Sequence, residues 1–236
     1  MKTVAFVPAK ENSERIKNKN LQILDGEYLF KRKLRQLLDC NEIDEVWLDS
    51  ESEYMHNLCS DLPIKHHYRN VKLANNETDG HSMFANESKV TDADIVVQAL
   101  CTAPFIDKQV IDPALKKLKE SKKSSLVAVS EQKLYLWNDS KPTYGDKIPN
   151  SVDLPIHFIE AMSFYAVKTN NKPVSKRYTQ DVILYPITPL QLVDINNKED
   201  LEFAKDICAG QRSKKVQQLK ILSKTISSCL LSDICK

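Results

Sequence analysis

Short apolar segments alternate with amphipathic segments of helical length along most of this chain. The apolar segments, each of strand length, cover residues 3–7, 45–49, 64–67, 94–100, 125–129 and 163–167. The helical candidates cover residues 27–38, 51–61, 80–90, 113–121 and 198–208. Strands separated by helices of this length favour parallel pairing through right-handed crossovers. The alternation predicts an α/β fold, a three-layer α/β/α Rossmann-like domain with a mainly parallel sheet.

The size of the chain suits one such domain with an appendage. With 236 residues and 42% hydrophobic content, the chain can bury one sizeable core. After Gly210 the composition shifts towards Lys, Ser and Leu. We expect Gly210 to end the preceding helix, because glycine readily adopts the left-handed conformation that closes helices. The predicted domain covers residues 1–209, and residues 210–236 form a helical tail or the start of a truncated second domain.

Charge and cysteine usage exclude several classes of protein. The net charge is only +2, and the basic runs are interleaved with leucines or lie beside them, as on solvated helix faces, so we expect no nucleic-acid partner. The chain has no apolar stretch of membrane-spanning length and no signal-peptide core, which predicts a soluble, intracellular, cytoplasmic protein without a membrane partner. The six cysteines show no Cys-x-x-Cys spacing, so neither a zinc site nor disulfides are expected.

The loop after the first strand carries the strongest chemical signal. Pro8 closes the strand, and the polar residues that follow include the cations Lys10, Arg15 and Lys19. Asn12 and Ser13 can turn the backbone so that its N–H groups point inward, and we expect Asn12 to take a positive φ. Cations and inward N–H groups together bind phosphate oxygens. The loop therefore predicts a triphosphate cradle, with a solvated basic loop as the alternative.

Two later segments would lie at the same edge of the sheet. The apolar run 94–100 ends at Cys101-Thr102-Ala103-Pro104, which places a hydroxyl and a proline-fixed turn after a buried strand. The second segment covers residues 192–204. It predicts a short strand ending at Asp194, followed by Asn196 and a capped helix. An ordinary turn at Thr102 and helix capping by Asp194 or Asp200 are the alternatives.

These segments resemble those of the CMP-sugar synthetases, the cytidylyltransferases that activate sialic acid and related 2-keto sugar acids. The residues in register are Pro8, Ala9, Ser13, Lys19, Asn20 and Leu21 in the loop, Thr102, Pro104 and Phe105 in the turn, and Asp194 before the last helix. The segment from Arg69 to Ser82 resembles the region in which relatives read cytosine. The chain departs from the family pattern at Lys10, Glu14, Leu100, Ala103 and Asn196.

The resemblance implies a nucleotide-diphospho-sugar transferase-like fold and a CTP-dependent enzyme that makes a CMP-sugar and pyrophosphate, most like an acylneuraminate cytidylyltransferase. The implied catalytic residues are Lys10, Arg15, Lys19 and Asp194. The implied CTP-binding residues are Ala9, Lys10, Asn12, Ser13, Lys19, Asn20, Arg69, Ser82 and Thr102. Magnesium would be held by Asp194 and Asn196, the second of which offers an amide oxygen without charge.

Residues 130–160 break the alternation with three prolines and no clear periodicity. A connection of this length suits a substrate lid or an oligomerisation arm. The resemblance favours the arm and so predicts a homodimer. Two alternatives to the main function stay open: a non-catalytic nucleotide- or sugar-binding homologue, and an active cytidylyltransferase for a different sugar.

Overall fold

A computed structural model describes residues 1–13, 15–75, 77–214 and 217, and it confirms the predicted α/β architecture. The strands are β1 Thr3–Pro8, β2 Ile23–Leu24, β3 Glu27–Tyr28, β4 Glu45–Ser50, β5 Lys65–Tyr68, β6 Ile95–Ala99, β7 Ser125–Lys133, β8 Trp137–Asn138, β9 Lys141–Pro142, β10 Ile156–Lys168 and β11 Val182–Pro186. Seven of them form the central sheet in the order β11-β7-β10-β6-β1-β4-β5. All neighbours pair in parallel except β10, which is antiparallel to β6 and β7.

Helices cover both faces of this sheet. They are α1 Leu29–Leu38, α2 Glu53–Asn57, α3 Gly80–Lys89, α4 Lys108–Glu120, and α5, which begins at residue 198 and is described to residue 214. Side chains of β1 alternate between the faces: Ala5 and Val7 pack in the cluster that includes α1, α2 and α4, and Val4 and Phe6 pack with Phe84 of α3. The α5 helix packs separately, through Leu201, Ala204 and Cys208, in the cluster that contains Ile16 and Phe105. These contacts bury both faces, as parallel sheets require.

Two predicted helix starts are wrong. The first helix does not begin at residue 27, because β2 and β3 form a hairpin turned by Asp25 (φ 55°) and Gly26 (φ 84°). Asp-Gly is the preferred pair for such two-residue turns. Helix α4 begins at Lys108, and its cap is Asp107, whose side chain accepts a hydrogen bond from the Gln109 N–H. Pro113 thus lies inside the helix.

The predicted helix end at Gly210 is also wrong, because α5 continues through residue 214. A glycine within a helix costs about 1 kcal/mol, which neighbouring turns can offset. The tail prediction for residues 210–236, including its two cysteines, falls almost wholly outside the described residues.

The irregular region 130–160 is a long antiparallel ribbon. β7 and β10 stay paired out to Lys133 and Ile156, beyond the sheet's carboxyl edge. The small hairpin β8–β9 and a 3-10 helix, Ser151–Asp153, connect them. Strand β11 was not predicted, although its parallel pairing with β7 completes the sheet. Within the described residues, no helix is both long enough and apolar enough to cross a membrane.

Candidate functional site

The carboxyl ends of β1, β4, β5 and β6 lie side by side, and their loops carry most of the predicted residues. Ligands of open parallel sheets bind outside this edge. The backbone itself ties the loops together. The Ala9 N–H donates to the Asp49 carbonyl (2.9 Å), and the Arg69 N–H donates to the Ser50 carbonyl (2.9 Å). The loops after three neighbouring strands are therefore fixed relative to one another.

Asn20 closes the loop that follows β1. Its amide Nδ2 donates to the Lys10 carbonyl (2.8 Å), and its Oδ1 accepts a hydrogen bond from the Cys101 thiol (3.1 Å). Asn20 is buried, so these bonds link the start of the loop to the turn after β6. Among the described residues of this loop, Asn18 has a positive φ (52°) and Asn12 does not, so that prediction is wrong. The backbone turn lies just before the 3-10 helix Lys19–Leu21 rather than near Ser13.

The three predicted cations differ in their surroundings. Arg15 is exposed, whereas Lys10 and Lys19 are half-buried. Burial lowers the pKa of Lys19, and the negative charge of Asp194 opposes this shift. The positive charge of Arg15 lowers the Lys19 pKa further. Lys19, Arg15 and Asp194 thus interact electrostatically, although Asp194 is far away in sequence. Asn12 is exposed and Ser13 is half-buried beside them in the chain.

Asp194 lies in a segment without regular secondary structure, after the 3-10 helix Pro189–Leu192, and the predicted strand before it is absent. The Ile195 N–H donates to the Thr102 carbonyl (2.8 Å), which holds the segment against the turn after β6. The Asn196 Nδ2 donates to Asp194 Oδ2 (2.6 Å). The other carboxylate oxygen, Oδ1, is buried and has no hydrogen-bond partner within the described residues.

Asp200 caps α5. Its carboxylate accepts hydrogen bonds from the N–H groups of Asn196 (2.7 Å) and Asn197 (3.0 Å), and its own N–H donates to Asn197 Oδ1 (2.8 Å). Reciprocal bonds of this kind satisfy the first free N–H groups of a helix. The capping role that the sequence suggested for Asp200 is confirmed, and no capping bond to Asp194 occurs among the described residues.

Asp194 and Asn196 supply part of what a magnesium site needs. A buried carboxylate oxygen without a partner costs free energy until a cation or a donor reaches it. Magnesium prefers hard oxygen ligands and commonly uses one or two carboxylates together with substrate phosphates. No group of three or more His, Cys, Asp or Glu side chains with metal-binding geometry occurs in the described part of the chain. The Asp194 oxygen therefore suits a shared ion better than a protein-only metal site.

Arg69 is placed differently from a ligand-binding cation. Its side chain is buried, and its two terminal nitrogens pair with Asp49 Oδ2 and Glu51 Oε2, both at 3.0 Å. Its Nε atom has no acceptor within the described residues. Ser82 is exposed on the first turn of α3, where its N–H donates to the capping Asp79 (2.7 Å).

A buried polar cluster beside Arg69 was not predicted. Gln98 of β6 donates to Glu87 of α3 (2.5 Å), and both residues, like Asp49, are fully buried. Burial raises the pKa of Glu87 well above its ordinary value, and the charge of Asp49 raises it further. The one sequence signal was a glutamine inside the apolar run that became β6. A carboxylate beside a buried carboxyl group favours the protonated form of that group, and the carboxylate here is Asp49, which binds Arg69.

Comparison with known proteins identifies the family. The family described as Cytidylyltransferase matches residues 4–227, nearly the whole chain. The chain belongs to the cytidylyltransferase family. It is therefore a nucleotidyltransferase, and the resemblance found in its loops is confirmed at the level of the family.

Individual relatives of this cytidylyltransferase carry the same family name. It is 26% identical over 227 residues to the pseudaminic acid cytidylyltransferase of Campylobacter jejuni, covering 87% of this chain and 95% of the relative. It is 22% identical over 176 residues to the 3-deoxy-manno-octulosonate cytidylyltransferase of Fusobacterium nucleatum, covering 72% of this chain and 68% of the relative. The structure of a CMP:2-keto-3-deoxy-manno-octonic acid synthetase complexed with CTP aligns with TM-score 0.67 at 13% identity, over 89% of this chain and 100% of the other, which supports the fold.

Proposed function

We propose that this cytidylyltransferase transfers CMP from CTP to a sugar acid and releases pyrophosphate. The observation that carries the proposal is Asp194 at the carboxyl edge of the sheet, whose Oδ1 atom is buried without a partner within the described residues and whose charge acts on Lys19 of the first loop. A cation and an unsatisfied carboxylate at such an edge suit a metal-bound triphosphate. The named relatives act on pseudaminic acid and 3-deoxy-manno-octulosonate, both sugar acids.

The loop residues would bind the nucleotide. Lys10, Arg15 and Lys19 supply positive charge for the phosphate oxygens, and Asn20 fixes the loop through its bonds to Lys10 and Cys101. Ala9, Asn12, Ser13 and Thr102 line the same edge in this proposal. Arg69 would support the site by holding Asp49 and Glu51 in place, since these carboxylates already occupy its two terminal nitrogens.

A magnesium ion would be held by Asp194 Oδ1, with the Asn196 amide and the nucleotide phosphates completing its surroundings. The ion would neutralise charge on the triphosphate and so favour departure of the leaving group. Asn196 adds no negative charge there. The proposed site therefore depends on ligands that the nucleotide itself brings.

The chemical step needs positioning more than covalent catalysis. A hydroxyl oxygen of the sugar attacks the α-phosphorus in line, its bond to phosphorus forms, and the bond from phosphorus to the bridging oxygen of pyrophosphate breaks. The leaving oxygen takes the electron pair, and the hydroxyl proton passes to solvent or to a nearby base. Lys10, Arg15 and Lys19 stabilise the charge that accumulates on the phosphates.

We also propose a homodimer formed through the ribbon of β7 and β10. Large apolar side chains on this ribbon and on its connecting β8–β9 hairpin face solvent in the single chain: Trp137 is 63% exposed, Ile156 53% and Phe158 50%. Grouped apolar side chains of this kind mark protein interfaces. The occupant proposed is a second copy of the same ribbon.

The deciding experiment is a pyrophosphate-release assay with CTP, magnesium and a panel of sugar acids that includes pseudaminic acid, 3-deoxy-manno-octulosonate and a sialic acid. Turnover of one member supports the proposal and names the sugar. Binding of CTP without turnover of any member would contradict it and favour a non-catalytic homologue. ATP, GTP and UTP serve as matched controls for the nucleotide.

A further inference from the structure

Arg177, in the segment between β10 and β11, is a buried cation that has no carboxylate partner among the residues that the structure describes. The residue is 7% exposed, and its Nε atom has no hydrogen-bond acceptor within the described residues. The arginine ion pairs seen in that part of the chain involve Arg35, Arg69 and Arg212. Removing a guanidinium from water costs several kcal/mol unless an anion or an aromatic ring compensates. The position of Arg177 therefore requires an explanation.

The contacts of the guanidinium hold it in one place. Its Cζ atom lies 4.7 Å from the centre of the Tyr165 ring, an arrangement that stabilises a cation by about 0.5–2 kcal/mol. The guanidinium also lies against Gly80, where an ideal Cβ would come within 2.2 Å of Cζ. It thus packs against both an aromatic ring and the first residue of α3. Only glycine leaves room for it there.

This position adjoins the carboxyl edge of the sheet, at which the proposed site lies. Tyr165 of β10 lies opposite Gln98 of β6, one residue before that strand ends at its carboxyl edge. The pairing of β10 with β7 changes register between Glu160 and Tyr165. Irregularities of this kind often occur beside active sites, where they redirect side chains. The Leu100 N–H donates to the carbonyl of Ser163 (2.7 Å), which ties the same irregular segment to the turn that carries Thr102.

A carboxylate already contacts the Tyr165 hydroxyl. That hydroxyl donates to Glu160 Oε1 (2.5 Å), and Glu160 is exposed. Glu160 makes no ion pair with Arg177 in the described part of the chain, and the hydrogen bond to Tyr165 shows that a carboxylate can occupy the space beside this hydroxyl. An exposed side chain rotates into water at little cost. A bound anion can take over this hydrogen bond.

We propose that Arg177 and Tyr165 form the subsite that binds the carboxylate of the sugar acid. The inference rests on the proposed function and adds the residues that select an acid. Arginine suits this role because its planar fork offers parallel N–H donors to the two oxygens of a carboxylate. The ring of Tyr165 and the surface of Gly80 fix the orientation of that fork.

The test compares an acid with its uncharged analogue. Parent protein, Arg177→Met and the control Lys176→Met are measured with pseudaminic acid, 3-deoxy-manno-octulosonate and the C1 carboxamide of each, by calorimetric binding and by turnover at saturating CTP. Lys176 is the exposed neighbour, so its variant makes the same charge change outside the subsite. We expect Arg177→Met to weaken binding of the acid, and raise its KM, about 10- to 100-fold. Binding of the carboxamide and the KM for CTP should stay unchanged.

An equal effect of Arg177→Met on acid and carboxamide would overturn the inference, because a purely structural role predicts it. If that variant does not fold, Gly80→Ala serves instead: it keeps the cation but displaces it, and it should selectively weaken binding of the acid. Unaltered acid binding in Gly80→Ala would equally refute the subsite. Absence of turnover in the parent contradicts the proposed function alone, since calorimetric binding of the acid still tests Arg177.

Discussion

Among single residues, Lys33 of α1 combines full burial with an ionisable group. It is 1% exposed, and its Nζ donates to the Ile106 carbonyl (2.5 Å). Burial lowers its pKa to about 7, and the charge of Arg32 also lowers it, while Cys101, Asp107 and Cys40 oppose the shift. One turn later, Gln36 donates to the Pro104 carbonyl (2.8 Å). The two side chains fix the turn that follows β6.

Lys33 should make stability depend on pH. A lysine in the unfolded chain titrates near 10.5, so between about pH 7 and that value the folded state binds fewer protons, and stability rises with pH. We expect Lys33→Met to gain stability relative to the parent at pH 7, by at most a few kcal/mol, and to gain less at pH 9.5. Urea unfolding at both values measures the difference. The exposed control Lys116→Met should show no such trend, and a pH-independent effect of Lys33→Met would refute the assignment.

Lys19→Ala should weaken CTP binding. Loss of one charge-assisted contact is worth roughly 1.5–3 kcal/mol, so the dissociation constant of CTP should rise about 10- to 100-fold. Isothermal calorimetry measures it. Lys17→Ala, which removes an exposed cation two residues away, is the matched control and should bind CTP normally. Equal affinities of parent and Lys19→Ala would exclude Lys19 from the phosphate site.

The metal requirement should depend on Asp194 and Asn196. Asp194→Ala should abolish turnover, because it removes the unpartnered oxygen proposed to hold magnesium. Asn196→Asp adds a charge next to it and should lower the magnesium concentration that gives half-maximal rate. A magnesium titration of pyrophosphate release compares both variants with the parent. Full activity of Asp194→Ala would leave this residue without a role in the reaction.

At the level of elements, the ribbon of β7 and β10 shows how one strand changes the sheet. β10 is antiparallel and runs 13 residues, so its first half projects beyond the sheet's carboxyl edge. Its apolar side chains, among them Ile156 and Phe158, are left without a cover in the single chain. A second copy would remove them from water.

Phe158→Glu should therefore dissociate the proposed homodimer, since a charge buried in an apolar interface costs several kcal/mol. Sedimentation velocity at micromolar concentration should show a dimer for the parent and a monomer for the variant. Ile23→Glu changes a comparably exposed apolar residue (53%) on the separate β2–β3 hairpin and should leave the dimer intact. A monomeric parent would contradict the proposal.

For the whole molecule, ligand selectivity is the most direct global readout. A ligand that binds only the folded state at 100 times its dissociation constant adds about 2.7 kcal/mol of stability. We expect CTP with magnesium to raise the melting temperature more than ATP, GTP or UTP at equal concentration. Thermal-shift titration measures this. Equal shifts for ATP and CTP would show that the base is not read.

Much of the fold followed from local patterns. Alternating apolar strands and amphipathic helices specified the parallel sheet, and the boundaries of β1, β4 and α3 came within a residue or two of the structure. The cations of the first loop could be named because charge placed after a buried strand has few structural uses, whereas Asp194 was named from the resemblance of its segment to the family pattern. The misplaced helix starts have local causes that were available: the Asp25-Gly26 turn and the cap at Asp107.

The chain by itself determined the alternation of elements, the family and the identity of the polar residues at the strand ends. Tertiary structure decided which of them meet. Asp194 comes within electrostatic reach of Lys19, and the ion pairs of Arg69 turn it inward, because strand order places distant segments at one edge. The position of Arg177 against Tyr165 and Gly80 was equally invisible in the sequence, since no local pattern reports which side chain a long connection brings to a distant helix.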